Sequence, residues 1–456
     1  MQNKLTQAIA ELVHYTKTKE HRGRVRFWAE GVKLEKSGFP CGAPYVVTEY
    51  PELKKVELAR VNSADIEGAR LVSSCKRNGK ARPIIDLNVS SVFDSGDRLK
   101  VVMGGGKIVI TIHHEEQNKE SREEEFTQRA ASGMLREASL FTGGGVSTEA
   151  IHSGIESLGF ESNVVWIAEC EKKYIDAAGE NCLSIDDNTA FLIGTVEEIE
   201  NQYFTKADIL SFSLPCAGFS KAGKAKHKKT SEEHSGTSLF GTVNAIRSAN
   251  PAVCISENVV EAKDSPIYQL LTWELERLGY KVFEQVLDQT HTDTIEQRRR
   301  FWMVAISEGI APESVQLDPV GKSGRQIAEI LAQDIAPEMW CDNFYLKDKA
   351  LRDEKAGKGF KRQLLTGDET SCGTIGRFYA KKRSTEPFIT RADGKERLLT
   401  PAEHARVKSI PEHLIENVST TTAHEILGQS VDFKQPFLLA RETMQAIFSM
   451  PRTVAA

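Results

Sequence analysis

From Leu135 onward the chain alternates short apolar runs with helical patterns, and this alternation leaves few folds open to it. The candidate strands are Ala138–Phe141, Val164–Ala168, Asp208–Phe212, Ala252–Ser256, Val282–Leu287 and Phe301–Ile306. Helical spacing fills most of the gaps, for example Ser147–Leu158 and Ser265–Leu278. Strands that alternate with helices build a parallel sheet covered on both faces, a doubly wound α/β architecture. Such sheets place their ligands beyond the carboxyl ends of the strands. The residues that follow each apolar run are therefore where chemistry is expected.

The flanking segments read differently. Leu5, Ile9, Leu12 and Val13 recur at helical spacing, which predicts an N-terminal helix. Short strand-like runs follow at Arg24–Trp28, Tyr45–Thr48, Pro83–Leu87, Leu99–Met103 and Lys107–Ile112, with Gly104-Gly105-Gly106 as a hairpin turn between the last two. RVRFWAEGVKLEKSGFPCGAPYVV and RPIIDLNVSSVFDSGDRLKVV share an order of strand, linker, Gly and strand, a faint internal repeat. The acidic stretch Glu115 to Glu125 predicts a solvated linker. Beyond Ser307 the alternation is lost until about Arg397, and residues 345–395 are rich in Lys, Arg, Gly and Thr. Leu398–Val407 and Thr443–Ser449 then read as helices. The expected domains are a β-rich N-terminal extension (1–126), an α/β core (127–306), an irregular insertion (307–392) and a helical segment that completes the core (393–456).

Charge and cysteine content narrow the setting. The formal net charge is -5, so the chain is not globally basic, yet a local patch suffices for a nucleic-acid partner. None of the 8 cysteines forms a CxxC pair, which removes the zinc-ribbon and thioredoxin signals, and no metal site is expected. There is no signal-peptide pattern and no 18-residue apolar run. A reducing, cytoplasmic compartment is the expectation.

Four motifs lie where the sheet edge predicts chemistry. In SLFTGGGVSTEA a strand feeds a glycine turn and then a helix, so glycines such as Gly143 and Gly145 let backbone approach a ligand at a helix N-terminus. The next strand ends at Glu169, where a carboxylate suits a ribose diol. SLPCAGFSKAG sets Cys216 on a loop after an apolar strand, a place for a nucleophile if its thiolate is stabilised. The plainer reading is a buried structural thiol. Lys224, Lys226, Lys228 and Lys229 follow, either a solvated loop or a phosphate-contacting flap. ISENVVEA ends a strand in Glu257-Asn258, where a carboxylic acid can hold or donate a proton. IEQRRRFWMVAI leads Gln297 and three arginines into a strand, a site for binding phosphate or a carboxylate or else a surface ion-pair cluster.

Taken together and in this order, the motifs resemble those of the DNA cytosine-5 methyltransferases, over roughly residues 135–306 and 395–435. FTGGG is similar to the family's AdoMet-binding loop, PCAGFS to its catalytic Pro-Cys loop, SENV to its Glu-Asn-Val motif and QRRR to its Gln/Arg motif. RLLTPAEHARVKSIP resembles its R-x-x-T-x-x-E segment and HEILGQSV its closing Gly-Asn-Ser-Val motif. The resemblance implies a Rossmann-like, AdoMet-dependent methyltransferase fold with an inserted target-recognition domain at 307–392. It implies that Cys216 adds to cytosine C6 and Glu257 stabilises N3, and that Arg298 or Arg300 holds the nucleotide flipped out of duplex DNA. It places AdoMet against Phe141, Gly143, Gly145, Glu169, Thr195, Pro215, Leu239, Gln429 and Ser430. It places double-stranded DNA against Lys224, Lys226, Lys228, Lys229, Asn258 and Gln297, and it allows a restriction endonuclease as functional companion.

The chain departs from the family pattern at several points. Ala217 stands where Gln is usual, Val146 where Gly is frequent, Thr195 where a carboxylate contacts adenine, and Gln429 where Asn closes the core. The Gln297-to-Phe301 spacing is one residue short, which leaves open which arginine acts. Two alternatives stay in view: a DNA-binding regulator with a degenerate core, and an RNA (tRNA) cytosine-5 methyltransferase. The N-terminal halves loosely resemble AbrB-like swapped-hairpin domains, small β domains that often bind DNA; the alternative is a structural or dimerising extension.

Overall fold

The computed structural model describes residues 11–77, 79–215, 225–357, 359 and 361–449, with backbone only for residues 77 and 225–235. Within it the chain divides into two compact units, residues 1–121 and 122–456.

Among the described residues, the first unit holds ten strands and one short α-helix ahead of residue 114. They are β1 (Leu12–Lys17), β2 (Lys19–His21), β3 (Arg24–Glu30), α1 (Val32–Lys36), β4 (Pro44–Tyr50), β5 (Lys55–Arg60), β6 (Arg70–Leu71), β7 (Ser73–Arg77), β8 (Lys80–Asn88), β9 (Arg98–Gly104) and β10 (Lys107–Ile112). The expected N-terminal helix is corrected at Leu12 and Val13, which lie in β1; its upstream half lies outside the described residues. Burial in β1 alternates with period two, and its pairing with β9 outweighs the helical spacing. The strands form a six-stranded sheet, β1-β9-β10-β5-β4-β6, and a four-stranded sheet, β2-β3-β8-β7. The faint repeat has a physical counterpart here. The halves β1–β5 and β6–β10 exchange their first strands, β1 joining β9 and β6 joining β4, while β3 pairs with β8. Phe27, Phe39, Leu58, Ile85, Leu99, Val101 and Ile108 fill the core between them.

The expected solvated linker is also corrected: residues 115–125 lie within a helix, α2 (His114–Ser132). Arg122, Phe126 and Ala130 recur every fourth residue, share one face and are buried. The Arg122 guanidinium donates to Ser307 Oγ (2.8 Å) and to the carbonyls of Leu278 (2.8 Å) and Gly279 (2.9 Å), and lies 3.9 Å from the centre of the Tyr280 ring. Glutamate-rich composition predicted water on all sides, but one buried stripe suffices to dock the helix. Arg122→Ala is expected to lower unfolding stability by about 3 kcal/mol or more, because buried acceptors lose a charged donor. Arg122→Lys restores little, since an ammonium lacks the planar fork. Denaturant titration measures both; an unchanged midpoint for Arg122→Ala would return the helix to a surface role.

The second unit holds a seven-stranded sheet. Its elements are β11 (Met134–Leu140), α3 (Val146–Glu156), β12 (Glu161–Glu169), α4 (Lys172–Asn181), β13 (Ala190–Ile193), β14 (Ile209–Phe212), α5 (Ala225–Ala249), β15 (Val253–Asn258), α6 (Pro266–Arg277), β16 (Tyr280–Leu287), α7 (Gln289–Thr292) and β17 (Arg300–Ser307). The order is β13-β12-β11-β14-β15-β17-β16. All pairs are parallel except those of β17, which runs antiparallel to β15 and β16. The chain reverses its winding between β11 and β14, which opens the crevice where such sheets bind ligands. Leu239, Ile246, Tyr268 and Leu271 of α5 and α6 pack on one face, and Phe126, Ile151, Ile155 and Leu439 on the other. Buried on both sides, the central strands are almost continuously apolar, which made them visible in the sequence.

Residues 308–400 carry α8 (Phe344–Lys355) and a small sheet of β18 (Gln363–Leu365), β19 (Pro387–Thr390) and β20 (Glu396–Arg397). Their core is Ile327, Ile330, Leu365, Ile375, Tyr379 and Ile389. The chain then returns through α9 (Pro401–Val407), α10 (Thr420–Gln429) and α11 (Lys434–Phe448). α11 packs against α3, through Leu439, Ala440 and Met444. No helix among the described residues is long and apolar enough to cross a membrane.

Candidate active site

Two cavities lie side by side at the carboxyl edge of the sheet, and Leu140 and Phe141 line both. Phe141 directly follows β11 with φ +56°, a left-handed conformation that a bulky residue adopts only when its surroundings impose it. The glycines behind it are needed sterically. A Cβ on Gly144 would stand 2.5 Å from Ile426 Cγ2, and one on Gly145 (φ +82°) would overlap Cys182 Sγ. The turn can therefore seat itself between α4 and α10 only without side chains.

Glu169 ends β12 beside this turn. Its carboxylate accepts from the Gly143 N–H (2.9 Å) and the Glu171 N–H (2.9 Å), so its position is fixed by backbone. Cys170, Gly194, Thr195, Glu197, Pro215 and Ser238 complete the first cavity. Burial and the charge of Glu169 push the Cys170 thiol up to about 11, which keeps it protonated and unreactive near neutral pH. The Thr195 hydroxyl donates to Glu198 (3.0 Å). Sequence reasoning missed Glu197, whose carboxylate accepts from Ser238 Oγ (2.9 Å) on the cavity wall. Burial opposes its charge, but its own backbone N–H and the Ser238 and Thr237 hydroxyls outweigh that and hold it below the ordinary carboxylate range. Leu239, expected at the cofactor, packs in the core; its neighbour Ser238 faces the cavity. Gln429 Nε2 is buried with no hydrogen-bond partner among the described residues, and it lies 3.6 Å from where a Gly143 Cβ would stand. Ser430 turns inward, its hydroxyl donating to the Ile426 carbonyl (2.7 Å).

Glu257, at the end of β15, lines the second cavity with Ser139, Ser213 and Trp302. One carboxylate oxygen meets Arg300 Nε at 2.7 Å and the other accepts from Ser213 Oγ at 3.2 Å. Ser213 went unnoticed in the sequence although it opens the SLPC motif. Asn258 is buried, donates from Nδ2 to the Leu214 carbonyl (3.0 Å) and accepts from the Val259 N–H (2.8 Å). It ties the Glu257 strand to the loop leading into Pro215. Cys216 and Lys224 lie outside the described residues, as do the side chains of Lys226, Lys228 and Lys229 in α5.

The two candidate arginines diverge. Arg300 faces Glu257, whereas Arg298 is buried and spends its donors elsewhere. It contacts Glu296 (3.3 Å) and the carbonyls of Ile375 (3.2 Å), Gly428 (3.1 Å) and Gln429 (3.3 Å). Glu296 is itself fully buried, 3.2 Å from the Lys408 amine. Burial pushes its carboxyl up, and Lys408 and Arg298 pull it back below the ordinary range. Gln297 sits exposed and donates to Ser371 Oγ (3.1 Å). Arg298→Ala is expected to cost about 3–5 kcal/mol of stability, since it leaves buried charge uncompensated. Arg300→Ala is expected to leave the unfolding midpoint nearly unchanged and to slow turnover instead. Paired melting curves and rates decide this; a reversed pattern would return the role to Arg298.

Comparison with known proteins fits this geometry. Residues 135–447 match the model of the C-5 cytosine-specific DNA methylases. The chain is 28% identical over 432 residues to the type II methyltransferase M.PspPI of Psychrobacter sp. (strain TA137), covering 84% of this chain and 94% of that protein. It is 25% identical over 265 residues to the type II methyltransferase M1.ScrFI of Lactococcus lactis subsp. cremoris, covering 56% of this chain and 66% of that relative's length. In fold, it is similar to the crystal structure of the S. pombe Dnmt2 methyltransferase (TM-score 0.53, 16% identity, 67% of this chain and 97% of that one). It is similar also to the Entamoeba histolytica methyltransferase EhMeth (TM-score 0.54, 14% identity, 69% of this chain and 98% of that one). With the matched segment spanning the whole α/β core and its returning helices, the chain belongs to the family of C-5 cytosine-specific DNA methylases.

Proposed function

We propose that the protein methylates C5 of cytosine in duplex DNA. The observation that carries this reading is Glu257, held by Arg300 and Ser213 on a cavity wall and linked through Asn258 to the loop that enters Pro215-Cys216. Cytosine C5 is a poor nucleophile. The Cys216 thiolate forms a bond to C6, and Glu257 holds a proton at N3 as electron density moves toward the ring, so that C5 becomes enamine-like. Arg300 keeps Glu257 aimed. After transfer, the C5 proton leaves and the C6–sulfur bond breaks, which restores the ring and frees Cys216. The base is reached only outside the stack.

The first cavity and the glycine turn beside it fit AdoMet. The side-chain-free Gly143–Gly145 turn, the Glu169 carboxylate and the orphan Gln429 Nε2 offer close backbone approach, a diol acceptor and an unspent donor. AdoMet, when bound, supplies an electrophilic methyl group. Phe141 lines both cavities, so it would sit between the cofactor and the base. Thr195 is engaged with Glu198, and Glu197 takes the place of the missing adenine-side carboxylate. Glu169→Ala is expected to weaken AdoMet binding about 10- to 100-fold, the loss of a charged hydrogen-bond acceptor. Calorimetry checks it, and an unchanged Kd would move the ribose elsewhere.

Residues 307–392 are assigned to target recognition, their Lys, Arg, Gly and Thr content suiting phosphate contact and base-edge readout. The type II names of the relatives support a restriction endonuclease as companion. Nucleoside mass spectrometry of duplex DNA incubated with protein and AdoMet tests the whole reading. The expected product is 5-methyldeoxycytidine. Its absence from DNA together with its counterpart in tRNA would move the substrate to RNA, and its absence from both would leave only a binding role.

A further inference from the structure

A groove distinct from the two cavities runs along the free edge of the seven-stranded sheet. β13 is the terminal strand and pairs only with β12 among the described residues. Phe191, Ile193, Glu198, Ile199, Glu200 and Tyr203 border a space of about 340 Å³ there, the size of a small-molecule pocket. Phe191, Ile193 and Tyr203 are 42%, 53% and 51% exposed. Clustered apolar exposure rimmed by carboxylates is a mark of a binding groove. The neighbouring helix α4 makes room for this wall, since a Cβ on Gly179 would stand 2.7 Å from Phe191 Cε1.

The groove meets the first cavity at Gly194, which lines both. Gly194 directly follows β13, and its N–H donates to the Glu169 carbonyl (3.2 Å), next to the carboxylate assigned to the ribose. A Cβ on Gly194 would stand 3.9 Å from Glu198 Oε2 and from Ile199 Cγ1, both groove residues. The side chain that Gly194 lacks would therefore project into the groove, and glycine leaves that direction open. The two glutamates that follow divide between the spaces. Glu197 lines the first cavity and Glu198 the groove. The Glu198 carboxylate accepts from the Thr195 hydroxyl (3.0 Å) and N–H (3.3 Å), while its own N–H donates to the Thr195 carbonyl (2.9 Å). This one tight turn separates the groove from the first cavity.

We infer that this groove is an annex of the donor site, which takes an apolar or aromatic substituent carried on N6 of the donor's adenine. The inference rests on the AdoMet reading of the first cavity. The exocyclic amine of adenine carries two hydrogens. Glu197 accepts one of them, and a group that replaces the other leads past Gly194 onto Phe191, Ile199 and Tyr203. Apolar burial and contact with two aromatic rings favour such a group there. The donor class is therefore AdoMet with a single substituent on N6. The transferred methyl sits on the sulfonium at the other end of the donor, so the methylation step is unchanged.

The probe is N6-benzyl-AdoMet, titrated by calorimetry into the full chain beside plain AdoMet. Its Kd is expected within about threefold of that for AdoMet, whereas a closed adenine pocket would reject the added ring by about a hundredfold or more. N6,N6-dimethyl-AdoMet is smaller but has no N6–H for Glu197, and should bind about tenfold more weakly than AdoMet. Ile193→Trp fills the groove from an exposed position. It should weaken the benzyl donor about tenfold or more and leave AdoMet within about twofold. Tyr203→Ala removes an aromatic wall without adding bulk, and should weaken the benzyl donor about threefold to tenfold while sparing AdoMet. Wild-type rejection of the benzyl donor would overturn the inference, as would a dimethyl donor that binds as well as AdoMet. Variants that leave the benzyl Kd unchanged, or weaken both donors alike, would overturn it too. Failure of plain AdoMet to bind would overturn the donor reading and this inference with it, so the two failures are distinguishable.

Discussion

Glu257→Gln is expected to lower kcat by about 10²- to 10⁴-fold, the usual worth of a positioned general acid. The substitution is nearly isosteric, so Ser213 keeps an acceptor and the β15 strand end keeps its shape. What is lost is the carboxyl that holds a proton at N3 as the adduct forms, together with the charge that Arg300 grips at 2.7 Å. Because the interaction strengthens as negative charge develops on the base, the loss should appear in kcat more than in KM. AdoMet affinity should stay close to wild type, since Glu169 and Glu197 line a different cavity. Single-turnover methylation with saturating DNA is the measurement. A rate within about tenfold of wild type would place the N3 contact elsewhere.

The largest effect is expected at Cys216. Cys216→Ala should reduce transfer by about 10⁴-fold or more, because no other group can make C5 electron-rich through a bond at C6. Duplex binding should persist, as phosphate contacts dominate affinity. A second readout isolates the covalent step. Duplex DNA carrying 5-fluorodeoxycytidine at the target has no C5 proton to release, so elimination is blocked and the wild-type protein should remain bonded to the strand in denaturing gels. Cys216→Ala should show no such band. Adduct formation by the variant would remove the nucleophile from Cys216. Of the cysteines near the cleft, Cys170 is held protonated by burial and by Glu169, which makes a substitute thiol a poor prospect.

The chemistry was legible because it follows strands buried on both faces. β11, β12, β14 and β15 each carry an apolar run, and Phe141 and the SLPC loop directly follow β11 and β14 while Glu169 and Glu257 lie at the ends of β12 and β15. β13 was missed: it is four residues long at the sheet edge, three of those residues are exposed, and no continuous burial marks it. Helix α2 was misread for the opposite reason. Its glutamates announce water, and only three side chains on one stripe record that the other face is packed.

Within the site, composition could not separate Arg298 from Arg300. They stand two residues apart, one just before a strand and one at its first residue, and spacing alone treats them alike. Segments far along the chain distinguish them: Ile375, Gly428 and Gln429 present carbonyls to Arg298, while the end of β15 brings Glu257 to Arg300. The Glu296–Lys408 pair was invisible for the same reason, being separated by more than a hundred residues and buried only because α9 returns to the core. Leu239 was placed at the cofactor by motif position, yet the turn of α5 directs it inward and leaves Ser238 on the wall.

The sequence by itself therefore determined the α/β class, the order of the strands' chemical endings, and the residues able to act as nucleophile and acid. These follow from local periodicity and from side-chain chemistry, which a linear chain carries whole. Only the tertiary structure decided which arginine meets Glu257, which groups line each cavity, and how the two N-terminal halves exchange strands. Those outcomes depend on contacts between segments distant along the chain, whose geometry exists only after the core has packed.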